Sequence, residues 1–136
     1  MIDMIFLDSN ILIYAATDDP LRSEPARTLL ESHDYNISTQ VINEFIYTCQ
    51  RKNLLSTEQI NRGVEEYLTN FSLQLIFDST IRSALLIQQR YKFAFWDSLI
   101  VATAIECECD TLFTEDLQDG MVIDKSLTIK NPFLSI

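Results

Sequence analysis

Glycine is nearly absent from this chain. Its 136 residues include two, Gly63 and Gly120. Two glycines so far apart cannot build a GxGxxG turn or a P-loop, which excludes the usual dinucleotide-binding and NTPase readings. Cysteine is scarce as well: Cys49, Cys107 and Cys109 are odd in number and contain no CxxC pair. A disulfide framework and a structural zinc site are therefore not expected, and all three read as ordinary packing or surface residues. The one histidine, His33, lies beside Asp34 and reads as a surface loop residue rather than a ligand. No apolar run approaches the roughly 20 residues that span a bilayer, so no membrane association is expected. Met1-Ile2-Asp3 lacks the basic region of a signal peptide, and the expected location is the reducing cytoplasm. There is no internal repeat, low-complexity tract or Pro/Gly-rich linker, so a single domain over residues 1–136 is expected.

Positive charge is the last shortage. Ten Lys and Arg face 20 Asp and Glu, a net charge of −10. Such a surface argues against general binding of polyanions, which usually relies on basic patches. Bound divalent cations would neutralise part of the excess.

What the chain does contain is a 47% hydrophobic composition, enough for a full core. The apolar residues fall into a regular alternation. Met4 to Leu7 is a continuous apolar run, as in a strand buried on both faces of a parallel sheet. Ser9 and Asn10 are capping types that open a helix ending near Ala16. Ser23-Glu24-Pro25 opens the next helix. Tyr35 to Ser38 is a short strand, after which Ser38 or Thr39 caps a helix to about Arg51. Ser56 to Gln59 is a capping box for a helix to about Asn70. Leu73 to Phe77 reads as a strand, and Asp78 or Ser79 as the cap of a helix from Ile81 to Tyr91. A polar-poor helix follows from Trp96 to Cys107, then strands at 110–114 and 127–129. Strands alternating with helices predict an α/β fold, a three-layer α/β/α domain around a central parallel sheet. Right-handed crossovers then put the carboxyl ends of the strands on one edge, where ligands bind in such sheets.

Four acids fall at or near that edge. Asp8 follows the first strand, Asp97 lies in the first turn of the polar-poor helix, and Asp116 follows the strand at 110–114. Glu44 sits beside the buried stripe of its helix, four residues after Gln40. Any one of them has a bland alternative, as a helix cap, a turn acid or a solvated side chain. Their convergence is what points to function. An oxygen-only donor set suits a hard cation, Mg²⁺ or Mn²⁺. A cation so held activates water and stabilises a phosphoryl transition state, so phosphodiester hydrolysis is the natural chemistry.

Leu7-Asp8-Ser9-Asn10, the stretch from Ser38 to Glu44, Trp96-Asp97-Ser98-Leu99-Ile100, Leu112 to Leu117 and Asn131-Pro132-Phe133 together resemble a PIN domain. More narrowly they resemble the VapC-type toxin nucleases of toxin–antitoxin pairs. The resemblance covers essentially the whole chain. It implies the PIN-like α/β/α fold and a metal-dependent endoribonuclease acting on RNA, often a homodimer and held inactive by a small antitoxin. By position it implies Asp8, Glu44, Asp97 and Asp116 as catalytic, metal-binding acids. Asn10, Ser38, Ser98 and Thr114 would be supporting polar residues, and Asp119 an extra acid. Arg51, Lys52, Arg90 and Lys92 are candidate RNA phosphate contacts, set against an equal case for solvated helix ends. Two other functions compete. An aspartate-based phosphatase would use Asp8 as nucleophile, but Asn10 stands where its second acid is needed. A catalytically silent protein-interaction module is the other, and a receiver domain is disfavoured because Asp3 lies too far upstream of Asp8.

Overall fold

The strand Ile5–Leu7 (β1) lies at the centre of a sheet and is buried along its whole length. A computed structural model describes residues 4–135. After β1 come helices α1 (Ser9–Ala16) and α2 (Ser23–Leu30), strand β2 (Tyr35–Ser38), and helices α3 (Thr39–Arg51) and α4 (Thr57–Asn70). Strand β3 (Ser72–Gln74), helices α5 (Asp78–Tyr91) and α6 (Phe95–Glu106), and strands β4 (Thr111–Phe113), β5 (Val122–Ile123) and β6 (Leu127–Lys130) complete the order. The sheet runs β3-β2-β1-β4-β6-β5 and is parallel except for β5. This is the expected α/β architecture, a mostly parallel sheet flanked by helices.

The chain winds outward from β1 through β2 to β3, then crosses back to place β4 on the other side of β1. Right-handed crossovers put α1 to α4 on one face and α5 and α6 on the other. The direction of winding reverses between β1 and β4, so their carboxyl ends border a crevice. Phe6, Leu7, Ile37 and Leu112 are fully buried beneath it. Each such side chain contributes about 1.5–3 kcal/mol relative to exposure, which anchors the strand ends. Helix α6 is apolar all round because it lies between the sheet and α5, and Ser98 to Ala104 are buried without a break.

Several boundaries differ from the sequence expectation. β3 ends at Gln74, not Phe77, because its partner β2 stops at Ser38 and leaves residues 75–77 without a ladder. Leu75 and Phe77 are consequently exposed. Neither Asp78 nor Ser79 caps α5; the Thr80 hydroxyl accepts the Phe77 N–H at 3.1 Å instead. Ser23 is inside α2, and Asp19 Oδ1 accepts the Leu21 and Arg22 N–H groups ahead of it. β6 matches the expected strand at 127–129, but β5 and the hairpin that it forms with β6 have no counterpart in the sequence reading. Its turn residues Asp124 and Lys125 have φ of 49° and 60°, conformations usually signalled by Asn-Gly or Asp-Gly. Arg90 and Tyr91 hold Asp124 there through hydrogen bonds. The capping box at Ser56 and the Ser38 cap of α3 are as expected.

Candidate active site

Asp8 is the N-cap of α1, the position that the sequence reading gave to Ser9 or Asn10. Its Oδ1 accepts the Ser9 N–H at 2.6 Å, and its Oδ2 accepts the Thr114 hydroxyl at 2.7 Å. The β1–β4 ladder makes that second bond possible: Leu7 pairs with Phe113, so the residues that follow each strand emerge side by side. Thr114 is a hub. Its Oγ1 also accepts the Asp116 N–H at 3.0 Å and the Asn10 amide at 3.4 Å. Asn10 Nδ2 donates in turn to Asp116 Oδ2 at 3.2 Å, which aims that carboxylate inward. Asp97 reaches the same place from the first turn of α6. One oxygen each from Asp8, Asp97 and Asp116 lies within 4.8 Å of the others.

Glu44 stands outside this trio but close to it. Gln40 spans the edge from α3, donating to Glu44 Oε2 at 3.3 Å and to the Trp96 carbonyl at 3.0 Å. It thereby ties the helix of one face to the start of the helix on the other. Gln40 is the one clear addition to the residues expected from sequence; its i, i+4 spacing to Glu44 was the available signal, but the reach to Trp96 is a tertiary fact.

Burial dominates the electrostatics. Asp8 is 4% exposed, and desolvation pushes its carboxyl up to about 7, against the opposing Thr114 bond; the charge of Asp116 pushes the same way. Asp97 is raised by burial and then by Asp116. Glu44 is raised by burial and by Asp97 and Asp116, partly offset by hydrogen bonds from Gln40 and Ser9. These are the marks of carboxylates packed without a counter-charge. The donor set is all oxygen, and the buried Asn10 Oδ1 beside it has no partner among the described residues. Both observations fit a hard divalent cation.

Other expected residues lie elsewhere. The Ser98 hydroxyl donates to the Ala94 carbonyl at 3.0 Å, inside its own helix. Ser38 spends its side chain on the Val41 N–H at 3.2 Å. Asp119 accepts the Asn131 N–H at 2.8 Å and is outside the trio. Arg90 is paired with Asp124, while Arg51, Lys52 and Lys92 are exposed. Glu115, between Thr114 and Asp116, is held away from the trio's donor set by Arg22 at 3.0 Å and by the Tyr14 hydroxyl. Sequence reasoning missed this ion pair, since Arg22 and Glu115 are far apart in the chain.

The fold is a doubly wound α/β domain with a carboxylate cluster at its switch point, the edge where ligands bind in such sheets. Comparison with known proteins narrows the class. The family model described as PIN domain matches residues 5–118, and the chain belongs to that family. A toxin–antitoxin complex from Klebsiella pneumoniae has the same fold, with a TM-score of 0.73 at 22% identity, covering 95% of this chain and 98% of that one. The Mycobacterium tuberculosis toxin VapC20, described as cleaving the sarcin–ricin loop, matches with a TM-score of 0.70 at 17% identity over 82% of this chain and 91% of that one. VapBC2 from Rickettsia felis, solved bound to a DNA fragment from their promoter, matches with 0.68 at 19% identity over 94% and 98%. At these identities the likeness is one of fold. No curated protein sequence matches the chain. Among the described residues no helix is long and apolar enough to cross a membrane.

Proposed function

We propose that this chain is an Mg²⁺- or Mn²⁺-dependent endoribonuclease, the toxin of a VapBC-type pair, active in the cytoplasm. The observation that carries the reading is the convergence of Asp8, Asp97 and Asp116 within 4.8 Å at the switch point of a PIN fold. Asp8, Asp97 and Asp116 would hold the cation, with Glu44 at its margin. The cation supplies positive charge that acidifies water and stabilises a phosphoryl transition state. The chain's own residues prepare the site. Thr114 and Asn10 fix the orientations of Asp8 and Asp116 through their hydrogen bonds. Burial pushes the Asp8 carboxyl up to about 7, so near neutral pH it is partly protonated, and a bound cation would favour its ionised form. Gln40 keeps Glu44 and the start of α6 in register. Arg51, Lys52 and Lys92 are exposed cations available to backbone phosphates, whereas Arg90 is engaged by Asp124.

The toxin–antitoxin descriptions of the similar structures support a small antitoxin as partner, and a second copy of the chain is the further partner of this reading. A net charge of −10 favours an antitoxin with a basic docking segment. The test is cleavage of total cellular RNA with Mg²⁺ or Mn²⁺ against a chelated control. Wild type should cleave at defined sites, and Asp97→Asn and Asp116→Asn should not. Cation-independent cleavage, or full activity in both variants, overturns the reading. Expression of the wild-type chain alone should slow growth, and expression of Asp97→Asn should not.

A further inference from the structure

At the end of the sheet away from the acids, α6 stops at Glu106, and Cys107, Glu108 and Cys109 follow. The stop is a Schellman turn. Glu108 N–H donates to the Ile105 carbonyl at 3.0 Å and Cys109 N–H to the Ala104 carbonyl at 2.9 Å, with Glu108 at a φ of 63°. Glycine is the usual residue at that position; here a residue with a side chain takes the left-handed conformation. The reversal folds Cys109 back on Cys107, and their Sγ atoms lie 3.4 Å apart. The two thiols are unequal. Cys107 is half-buried, whereas Cys109 is 3% exposed and packs in the core. The hydrogen bond with Cys109 holds the Cys107 thiol below its ordinary value, against burial. The same bond, together with burial, raises Cys109. Spacing alone made these thiols ordinary packing or surface residues; the turn makes them a facing pair, and the chemistry at the acids uses neither.

We propose that Cys107 and Cys109 form a reversible intramolecular disulfide, a modification site whose oxidant is a small uncharged hydroperoxide. Cys107 is the entry point, because it is the thiol that solvent reaches. Its thiolate sulfur attacks one peroxide oxygen and the O–O bond breaks. The other oxygen leaves as hydroxide and takes up a proton to give water, and Cys107 becomes a sulfenic acid. The Cys109 sulfur then attacks the Cys107 sulfur, the S–O bond breaks, and the hydroxyl leaves with the Cys109 proton as a second water. Two thiols thereby lose two electrons and two hydrogen atoms, and one hydrogen peroxide becomes two waters. The attacking and resolving sulfurs are already in contact, so the second step needs no opening of the fold. Charge selects the oxidant. Glu106, Glu108 and Asp110 alternate with the cysteines and are exposed. This acidic rim repels oxidised glutathione, itself an anion, and leaves a neutral peroxide unaffected. In a reducing compartment such a bond is transient, as in redox-sensing pairs. The pair is remote from the acids: Asp97 lies in the first turn of the helix that Cys107 ends, about 15 Å away along its axis.

The experiment treats full-length wild type with hydrogen peroxide, alkylates the remaining thiols in denaturant and maps the peptides by mass spectrometry. Cys107 and Cys109 should escape alkylation together, in a peptide lighter by two hydrogen atoms, while the buried Cys49 is alkylated in full. Dithiothreitol should restore both thiols. Cys109→Ser removes the resolving sulfur, so dimedone should trap a sulfenic acid at Cys107. In Cys107→Ser, Cys109 should resist peroxide. Oxidised glutathione at the same concentration should act more slowly, at a rate that rises with salt; an equal rate at low salt overturns the choice of oxidant. Full alkylation of both cysteines after peroxide overturns the pair. So does a Cys107 link between two copies, or sulfinic acid at Cys107 with Cys109 left free. The wild-type map decides these outcomes whether or not the variants fold. The proposal is independent of the nuclease reading, since a chain that cleaves no RNA would still form this bond.

Discussion

Asp8 works as a helix cap and as part of the acid cluster at once, and the two roles make opposite demands. The cap bond from Ser9 favours the ionised form, whereas burial favours the protonated one, and burial wins. A carboxyl raised from 3.8 to about 7 on folding binds more protons in the native than in the unfolded chain between those values. Its contribution to stability is therefore complete below the lower value and lost as pH rises toward 7. In chelator, denaturant unfolding of wild type minus that of Asp8→Asn should show this fall between about pH 4 and 7. Asn is a comparable cap, so the substitution retains α1. A pH-independent difference would mean that the Asp8 carboxyl titrates alike in the folded and unfolded chains. Thr114→Val keeps volume while removing the hub hydroxyl. It should lower cation affinity or cleavage by about 10–100-fold, the usual cost of losing a residue that orients ligands. Isothermal titration with Mn²⁺ and a cleavage assay check it.

The starts of α3 and α4 were legible in the sequence, unlike the caps of α1, α2 and α5. The pattern Ser56-Thr57-Glu58-Gln59 forms the reciprocal capping box it spells, with Gln59 N–H to Ser56 Oγ at 3.1 Å and Ser56 N–H to Gln59 Oε1 at 2.9 Å. Ser56→Ala should cost about 1 kcal/mol in urea unfolding and leave cleavage unchanged, since α4 contributes no member of the acid trio. Strand ends were harder to read. The run Leu73 to Phe77 is apolar at every second position, as in a half-buried strand, but an edge strand exists only where its neighbour offers a ladder. The β5–β6 turn lacked the glycine that would announce it, and the side chains of Arg90 and Tyr91 on another element stabilise it instead.

At the scale of the molecule, part of the negative charge meets at one edge of the sheet, where Asp8, Asp97 and Asp116 converge. Two unit charges about 5 Å apart at an effective dielectric of about 20 repel by about 3 kcal/mol, less after solvent screening and protonation. Mg²⁺ or Mn²⁺ should raise the melting temperature by binding only the folded state. Asp97→Asn should raise the melting temperature in chelator while abolishing activity, a common trade at a functional site. Paired thermal melts in chelator at neutral pH decide the matter. A clearly lower value for the mutant, with no cation shift in wild type, would make Asp97 a structural residue.

By itself the sequence determined the alternation of strands and helices, the caps of α3 and α4, and the placement of Asp8, Asp97 and Asp116 at strand ends or a helix start. Those are local properties: a short apolar run, a capping hydroxyl or an acid in a first turn acts on its own few residues. Which acids would meet was not local. Asp116, Glu115 and Asp119 are chemically alike and within four residues of one another, yet only Asp116 joins the trio. Glu115 is drawn to Arg22, and Asp119 to the backbone of Asn131. Nor does any short stretch encode that Gln40 reaches Trp96, or that β1 lies between β2 and β4. Strand order decides which loops are neighbours, and it is settled by burying every apolar face of the chain at once.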